Sequence, residues 1–384
     1  MNSPFSTLFA RHCEAAALSF DVPALAAGIS IGGAVETAAV GCEPETLFRI
    51  ASITKPLTAT LVLGLVDLEE PTGVWPGEVR IRHLLSHTSG FDSECGDLAR
   101  FGDGDDALAV LCAELPAVRR FLGVEEVWSY ANTGYWLAGH LAAQRAGSSY
   151  EDALEERVLR PAGLESTSFA EPELTGTGPD AVAGPYPRAR RPSGGLVSNV
   201  PDLLRFGRWH LVRPESAQLR IAHGVPVDGV YGLGLRGQQV AGTEVWGHGG
   251  SYGGFQSSLV VIPGRDAVFA GLTNSGRGGQ ALRLLEDAFF EHVLGARRTV
   301  PGSVPLAAHV LDAFAGTYEN SDGRYQVARA ADGLAVIFPE GAYRARPIGE
   351  RTFEIVDGDR AGDRLDFPRE RFGRFGSRLA ERVG

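Results

Sequence analysis

The segment Ala51-Ser52-Ile53-Thr54-Lys55-Pro56-Leu57-Thr58-Ala59 places a hydroxyl and an amine three residues apart. It follows the extended run 47–50 and begins an apolar stretch, so both side chains are predicted to share one face of a helix running to about Glu69. A serine becomes a nucleophile when a neighbouring base takes its proton, and a lysine can be that base only where its surroundings favour the neutral amine. Because this spacing also arises by chance on solvated helices, the segment needs partners elsewhere in the chain.

A second chemical stretch spans residues 127–139. Tyr130 and Asn132 lie two residues apart on a turn before a predicted helix that continues to about Ala146. A phenol can accept and return protons, and an amide can orient both an amine and a substrate carbonyl. Taken alone, however, the stretch is better explained as a packed aromatic residue followed by a helix cap.

The third chemical stretch is Gly247-His248-Gly249-Gly250-Ser251, which lies among strand-like runs. Its glycines leave the backbone bare, so a substrate acyl group could lie against it and accept hydrogen bonds from its N–H groups. A glycine-rich hairpin with one ordinary histidine is the alternative. His83 and His87 are predicted to lie four residues apart on one short helix, and a structural role is favoured because they have no nearby acidic ligand to complete a metal site.

Composition excludes several classes of partner. The 384 residues are 44% hydrophobic and carry a formal net charge of -11, which is typical of a globular protein and disfavours nucleic acid and anionic membranes. No apolar run reaches the roughly 20 residues that a membrane span needs. The start at Met1 lacks a basic leader, and the four cysteines are far apart, so we expect a cytoplasmic protein with reduced thiols and no zinc site.

The pattern of helices and strands predicts an α+β fold. A first helix over 6–19 precedes a β-hairpin with a Gly32-Gly33 turn, and an amphipathic helix over 280–294 closes this part of the chain. Antiparallel pairing is expected among four later runs, at 231–235, 244–247, 256–262 and 267–272. Residues 301–310 are predicted to be a linker, and short runs at about ten-residue spacing over 311–384 predict a small all-β barrel or sandwich.

The three chemical stretches in this order resemble the serine β-lactamase and penicillin-binding protein superfamily, most closely its class C β-lactamase-like esterase and D-peptidase branch. Three further stretches share the likeness: residues 81–90, 194–198 and 231–234. The resemblance implies an αβα sandwich in a catalytic domain over 1–300, with a helical subdomain at about 57–205. Residues 311–384 resemble the lipocalin-like β-barrel domain appended to some members.

The resemblance also implies a role for each site residue. Ser52 would be acylated, Lys55 would activate it, and Tyr130 would protonate the leaving group and later help to activate water. Asn132 would orient Lys55 and the substrate amide, and His248 would tune the Tyr130 hydroxyl through a hydrogen bond.

The oxyanion hole implied by the resemblance consists of the N–H groups of Ser52 and Ser251, with Gly249 and Gly250 lining the substrate. Neither a metal nor an organic cofactor is implied. The expected partner is a small-molecule or peptide ester or amide, and the sequence leaves the oligomeric state open.

His248 stands where many relatives place a lysine. Because a histidine is largely neutral near pH 7, we expect an ester or amide without an obligatory carboxylate rather than a penicillin. A D-amino-acid peptidase, a thioesterase or peptide cyclase, an acyltransferase and a β-lactamase remain open alternatives, as does a non-catalytic penicillin-recognising protein.

Overall fold

The structure is a computed structural model that describes residues 4–74, 78–96, 99–226 and 228–383. Its helices are α1 Pro4–Ser19, α2 Thr54–Leu63, α3 Ile81–Leu85, α4 Ala107–Glu114, α5 Asn132–Ala146, α6 Tyr150–Leu154, α7 Arg191–Gly194, α8 Val200–Val212, α9 Gly278–Leu294 and α10 Ala308–Phe314. Within these described ranges, no helix is both long enough and apolar enough to cross a membrane.

The strands fall into three groups. Those of the first part of the chain are β1 Leu25–Ile31, β2 Ala34–Val40, β3 Phe48–Arg49, β4 Val197–Ser198, β5 Val230–Tyr231, β6 Arg236–Val240, β7 Thr243–Tyr252, β8 Phe255–Ile262 and β9 Ala267–Thr273. The C-terminal strands are β10 Gly316–Asn320, β11 Gly323–Arg329, β12 Leu334–Phe338, β13 Gly341–Pro347, β14 Thr352–Ile355, β15 Arg364–Arg369, β16 Phe372–Phe375 and β17 Arg378–Val383. The pair β3 and β4 forms a separate small sheet.

The central sheet has seven antiparallel strands in the order β2-β1-β9-β8-β7-β6-β5. Helices α1 and α9 pack together on one side of it through residues such as Phe9 and Phe289, while α8 and the helical region cover the other. Gly28 of β1 permits the close packing of α8, because a Cβ there would lie 2.7 Å from a methyl of Val200. The predicted α+β class and the β1–β2 hairpin are confirmed.

Two local predictions were wrong. Helix α2 ends at Leu63 rather than near Glu69, because Gly64 caps it and the chain then turns. His83 and His87 do not share a helix: α3 ends at Leu85, and His87 adopts a left-handed backbone with φ +61°. The two histidines therefore face different surroundings.

The C-terminal strands β10 to β17 close into an eight-stranded antiparallel barrel around an aromatic core that includes Phe314, Tyr318, Phe367 and Phe375. This confirms the predicted small β-barrel. Helix α10 begins inside the predicted linker over 301–310 and packs against the barrel. The domain boundaries themselves stay a prediction, and residues 1 to 3 and 384 at their outer ends lie outside the described ranges.

Candidate active site

Ser52 lies on a single 3₁₀ turn, Ala51–Ile53, between β3 and α2. Ala51 adopts φ +44°, which is uncommon for a residue with a Cβ and aims the turn sharply into the helix. Lys55 follows one turn later, and its Nζ lies 3.1 Å from Ser52 Oγ. The Tyr130 hydroxyl donates to Ser52 Oγ at 2.9 Å, so the serine oxygen lies between an amine and a phenol.

Lys55 is completely buried, and its amine donates to the carbonyl oxygen of Ser193 at 2.6 Å. We call Ser52, Lys55, Tyr130 and Ser193 the acylation cluster. Burial, reinforced by the charge of Arg378, holds the pKa of Lys55 well below the ordinary lysine value of 10.5. The amine is therefore neutral at lower pH than an exposed lysine would be.

The Tyr130 phenol has the opposite tendency. Burial raises its pKa above the ordinary tyrosine value, and the hydrogen bond with Ser52 offsets only part of that rise. The surroundings therefore favour the neutral form of the amine and the protonated form of the phenol on either side of the Ser52 hydroxyl. This arrangement provides a base and a proton donor at the same oxygen.

Asn132 begins α5, two residues after Tyr130. Its amide nitrogen donates to Glu94 Oε1 at 2.5 Å, and its Oδ1 is buried without a hydrogen-bond partner among the described residues. The hydrogen bonds of the Lys55 amine go to Ser52 and Ser193 rather than to Asn132. The carbonyl of Ser193 was missed from the sequence, although the neighbouring Gly194-Gly195 turn had been singled out.

His248 lies on β7, with its ring centre 6.1 Å from that of Tyr130. Its Nε2 is 3.0 Å from the hydroxyl of Tyr231, so it contacts Tyr231 rather than the Tyr130 hydroxyl that the resemblance suggested. Burial, with the nearby Lys55, lowers the pKa of His248 to about 3. The imidazole is therefore neutral at physiological pH.

The glycines after His248 bring the edge of β7 against the nucleophile. A Cβ on Gly250 would lie 3.0 Å from the backbone nitrogen of Ser52 and 2.3 Å from the carbonyl oxygen of Ile50. Only glycine leaves room for this approach. The expected oxyanion donors at Ser52 and Ser251 thus belong to two backbone segments that meet at Gly250.

A charged wall that sequence reasoning missed lies beside the cluster. Arg190 Nη2 is 3.3 Å from both carboxylate oxygens of Glu94, and Arg378 Nη2 is 3.6 Å from Glu94 Oε1. Arg378 also pairs with Asp322. Two arginines thus face two carboxylates, and the wall carries little net charge. No sequence pattern predicted this wall, because its four residues come from distant parts of the chain.

The barrel contributes directly to this region. The N–H of Tyr130 donates to the carbonyl of Ser377 at 3.0 Å. Arg374 donates to both carboxylate oxygens of Asp366 at 2.8 and 2.6 Å and to the carbonyl of Trp128 at 2.9 Å. We call Arg374, Asp366 and Trp128 the barrel interface. It fixes the segment leading to Tyr130 against the C-terminal domain.

His83 and His87 lie apart from any metal-binding arrangement. His83 accepts a hydrogen bond from the N–H of Arg80, and His87 accepts one from the N–H of Ala131. Across the described ranges, no group of three or more His, Cys, Asp or Glu side chains is placed to hold a metal ion.

Comparison with known proteins identifies the family. Residues 10–291 match the sequence model of the Beta-lactamase family. The chain is 32% identical over 379 residues to penicillin-binding protein 4 of Amycolatopsis lactamdurans, an alignment that covers 82% of this chain and 95% of that protein.

Two solved structures are similar at 25% identity. A crystal structure of SurE with D-Leu gives a TM-score of 0.76 and covers 98% of this chain and 99% of that chain. A D-stereospecific amidohydrolase from Streptomyces sp. gives a TM-score of 0.63 and covers 76% and 99%, respectively. With the family match over most of the sequence, these likenesses establish that the chain belongs to the beta-lactamase family and is a serine hydrolase of amide or ester substrates.

Proposed function

We propose that the protein hydrolyses a carboxylate-free ester or amide through an acyl-enzyme on Ser52. The observation that carries the proposal is the position of Ser52 Oγ, 3.1 Å from the Lys55 amine and 2.9 Å from the Tyr130 hydroxyl. The direction of both pKa shifts supports the assigned roles, since a base must start neutral and a proton donor must start protonated.

In the proposed acylation step, Lys55 takes the Ser52 proton as Oγ bonds to the substrate carbonyl carbon. The N–H groups of Ser52 and Ser251 hold the oxyanion. As the bond to the leaving group breaks, Tyr130 gives its proton to that group and regains one from the Lys55 ammonium. Water then attacks the acyl carbon and its proton passes to the Lys55 and Tyr130 pair. The bond between the acyl carbon and Ser52 Oγ breaks, the acid product leaves, and the pair returns a proton to Oγ.

The charge around the site supports a neutral substrate. His248 is neutral because its pKa is lowered to about 3 by burial and the nearby Lys55, and Arg190 and Arg378 are paired with carboxylates. A substrate carboxylate would therefore have to break an existing ion pair in order to be bound.

A second candidate is a D-configured amino acid derivative as the acyl donor. It is supported by the two solved structures at 25% identity, one containing D-Leu and the other named as a D-stereospecific amidohydrolase. The acceptor could be water or an amine, as in a peptide cyclase. We also propose a cytoplasmic location, which the four free cysteines support because a reducing compartment keeps thiols unpaired.

A substrate panel tests these proposals. Short-chain p-nitrophenyl esters, p-nitroanilides of D- and L-amino acids and a penicillin are offered to the wild type and to Ser52→Ala, with the exposed Ser148→Ala as a matched control. We expect ester turnover that falls by at least about 10³-fold in Ser52→Ala only. Faster turnover of D- than of L-anilides would support the second candidate. Efficient penicillin hydrolysis without ester turnover would contradict the neutral-substrate preference.

A further inference from the structure

Three side chains connect the backbone beside Tyr130 to the backbone beside Ser52. The N–H of Ala131 donates to His87 Nδ1 at 3.1 Å, and His87 Nε2 lies 3.2 Å from the Tyr231 hydroxyl. On the other side of that hydroxyl, His248 Nε2 lies at 3.0 Å, and His248 Nδ1 is 2.5 Å from the carbonyl oxygen of Gly249. We call His87, Tyr231 and His248 the histidine relay.

The two backbone ends determine where the protons of the relay lie. A backbone N–H can only donate, so Nδ1 of His87 carries no proton and its Nε2–H donates to Tyr231. A backbone carbonyl can only accept, so Nδ1 of His248 carries the proton. The Tyr231 hydroxyl then accepts from His87 and donates to Nε2 of His248. In this arrangement both imidazoles are neutral, and they are opposite tautomers.

The surroundings of the relay oppose a second proton on either ring. The basic groups that act on His248 are Arg236 and, when it is protonated, Lys55, and His87 faces these two groups and His248 itself. The titratable hydroxyls around them are those of Tyr130, Tyr135 and Tyr231. A cationic His248 would require Tyr231 to turn its proton toward Tyr135, which lies within hydrogen-bonding reach.

His87 adopts φ +61° while fully buried, a backbone conformation that is uncommon for residues with a Cβ. Such conformations persist only where the surrounding structure requires them, and they concentrate at functional sites. His87 holds this conformation with its imidazole between the N–H of Ala131 and the Tyr231 hydroxyl.

We propose that His87 and Tyr231 are positioning residues that hold His248 as a neutral imidazole with its proton directed at Gly249. Their effect is to fix the edge of β7 where Gly250 meets Ser52, and to deny a substrate carboxylate the cation that a lysine would supply. The consequence for catalysis rests on the proposed function, whereas the tautomers can be measured without any turnover.

Nitrogen-15 NMR of the histidine side chains in the full-length protein tests the tautomers directly. Signals are assigned with His87→Gln and His248→Gln. From about pH 5.5 to 8, a range in which ordinary histidines titrate, we expect a neutral Nε2–H form for His87 and a neutral Nδ1–H form for His248. An imidazolium signal from either residue, or the same tautomer in both, would overturn the proposal whether or not Ser52 is acylated.

A functional test uses Tyr231→Phe with Tyr343→Phe as the matched control. The Tyr343 hydroxyl lies in the C-terminal barrel and donates to Asp359, so its loss removes one hydroxyl without touching the relay. We compare kcat/KM for a neutral ester with kcat/KM for a carboxylate-bearing ester. In Tyr231→Phe we expect the ratio of the first value to the second to fall by about tenfold, because one hydrogen bond to a charged group contributes about that much. An unchanged ratio with an unchanged His248 spectrum would overturn the positioning role.

Discussion

The acylation cluster and the barrel interface both bury polar side chains, but they treat charge differently. Lys55 is 0% exposed and lacks a carboxylate at hydrogen-bonding distance among its described contacts, so burial favours its neutral form. Arg374 is 5% exposed and keeps its charge, because Asp366 accepts two hydrogen bonds from it. Burial without a paired charge produces a base, whereas burial with one produces a structural link.

The largest expected effect comes from removing the buried amine. Lys55→Met keeps the volume of the side chain but deletes the base, so we expect kcat/KM for a p-nitrophenyl ester to fall on the order of 10³-fold to 10⁴-fold. Stability should not fall at pH 7. The folded-state pKa of Lys55 lies below its unfolded value of 10.5, so folding at a pH between the two values releases a proton, and stability from this group rises with pH across that range.

Thermal unfolding of the wild type and of Lys55→Met from pH 6 to 10 checks the prediction about stability. The variant should be at least as stable as the wild type near neutrality, and any advantage should shrink as the pH approaches 10.5, the ordinary value for lysine. A wild-type rate of ester hydrolysis in the variant, or a marked loss of stability at pH 7, would mean that Lys55 serves as a structural cation.

Breaking the barrel interface should affect stability rather than the chemical step. Arg374→Leu leaves the Asp366 carboxylate buried without its partner, and we expect a loss of about 3 to 5 kcal/mol in the free energy of unfolding. The exposed pair of Arg297 and Glu291 offers the control, since Arg297→Leu should change stability by about 1 kcal/mol or less. Denaturant unfolding measures the free energy of unfolding of both variants. Equal losses for Arg374→Leu and Arg297→Leu would contradict the structural role of the buried pair.

Sequence patterns predicted the parts of the site that depend on local spacing. Ser52 and Lys55 are one helical turn apart, and Tyr130 precedes the start of α5, so periodicity and turn signals were enough to single them out. The Ser193 carbonyl, the Tyr231 hydroxyl and the side chain of Arg378 were not predicted as partners of these groups. Each reaches the site through tertiary packing, and no local pattern encodes such a contact.

In the fold, too, local elements were predictable from sequence patterns and long-range contacts were not. Alternation and turn spacing predicted the strands of the C-terminal domain, but strand patterns alone did not decide between a barrel and a sandwich, because closure depends on the pairing of β10 with β17. The length of α2 was overestimated because apolar residues continue beyond Gly64 while the backbone turns. The residues that carry the chemistry were therefore predictable from local sequence patterns, whereas the long-range contacts that shift their pKa values were not.

The rate of Ser52 acylation as a function of pH tests the central claim most directly. The burst of p-nitrophenol from an activated ester is followed on the wild type, and mass spectrometry of the quenched protein locates the acyl group. Because the pKa of Lys55 is held well below 10.5, we predict an acyl group on Ser52 and an acylation rate that reaches its plateau well below that pH. An adduct on another residue, or a rate still rising steeply at pH 10, would contradict the account.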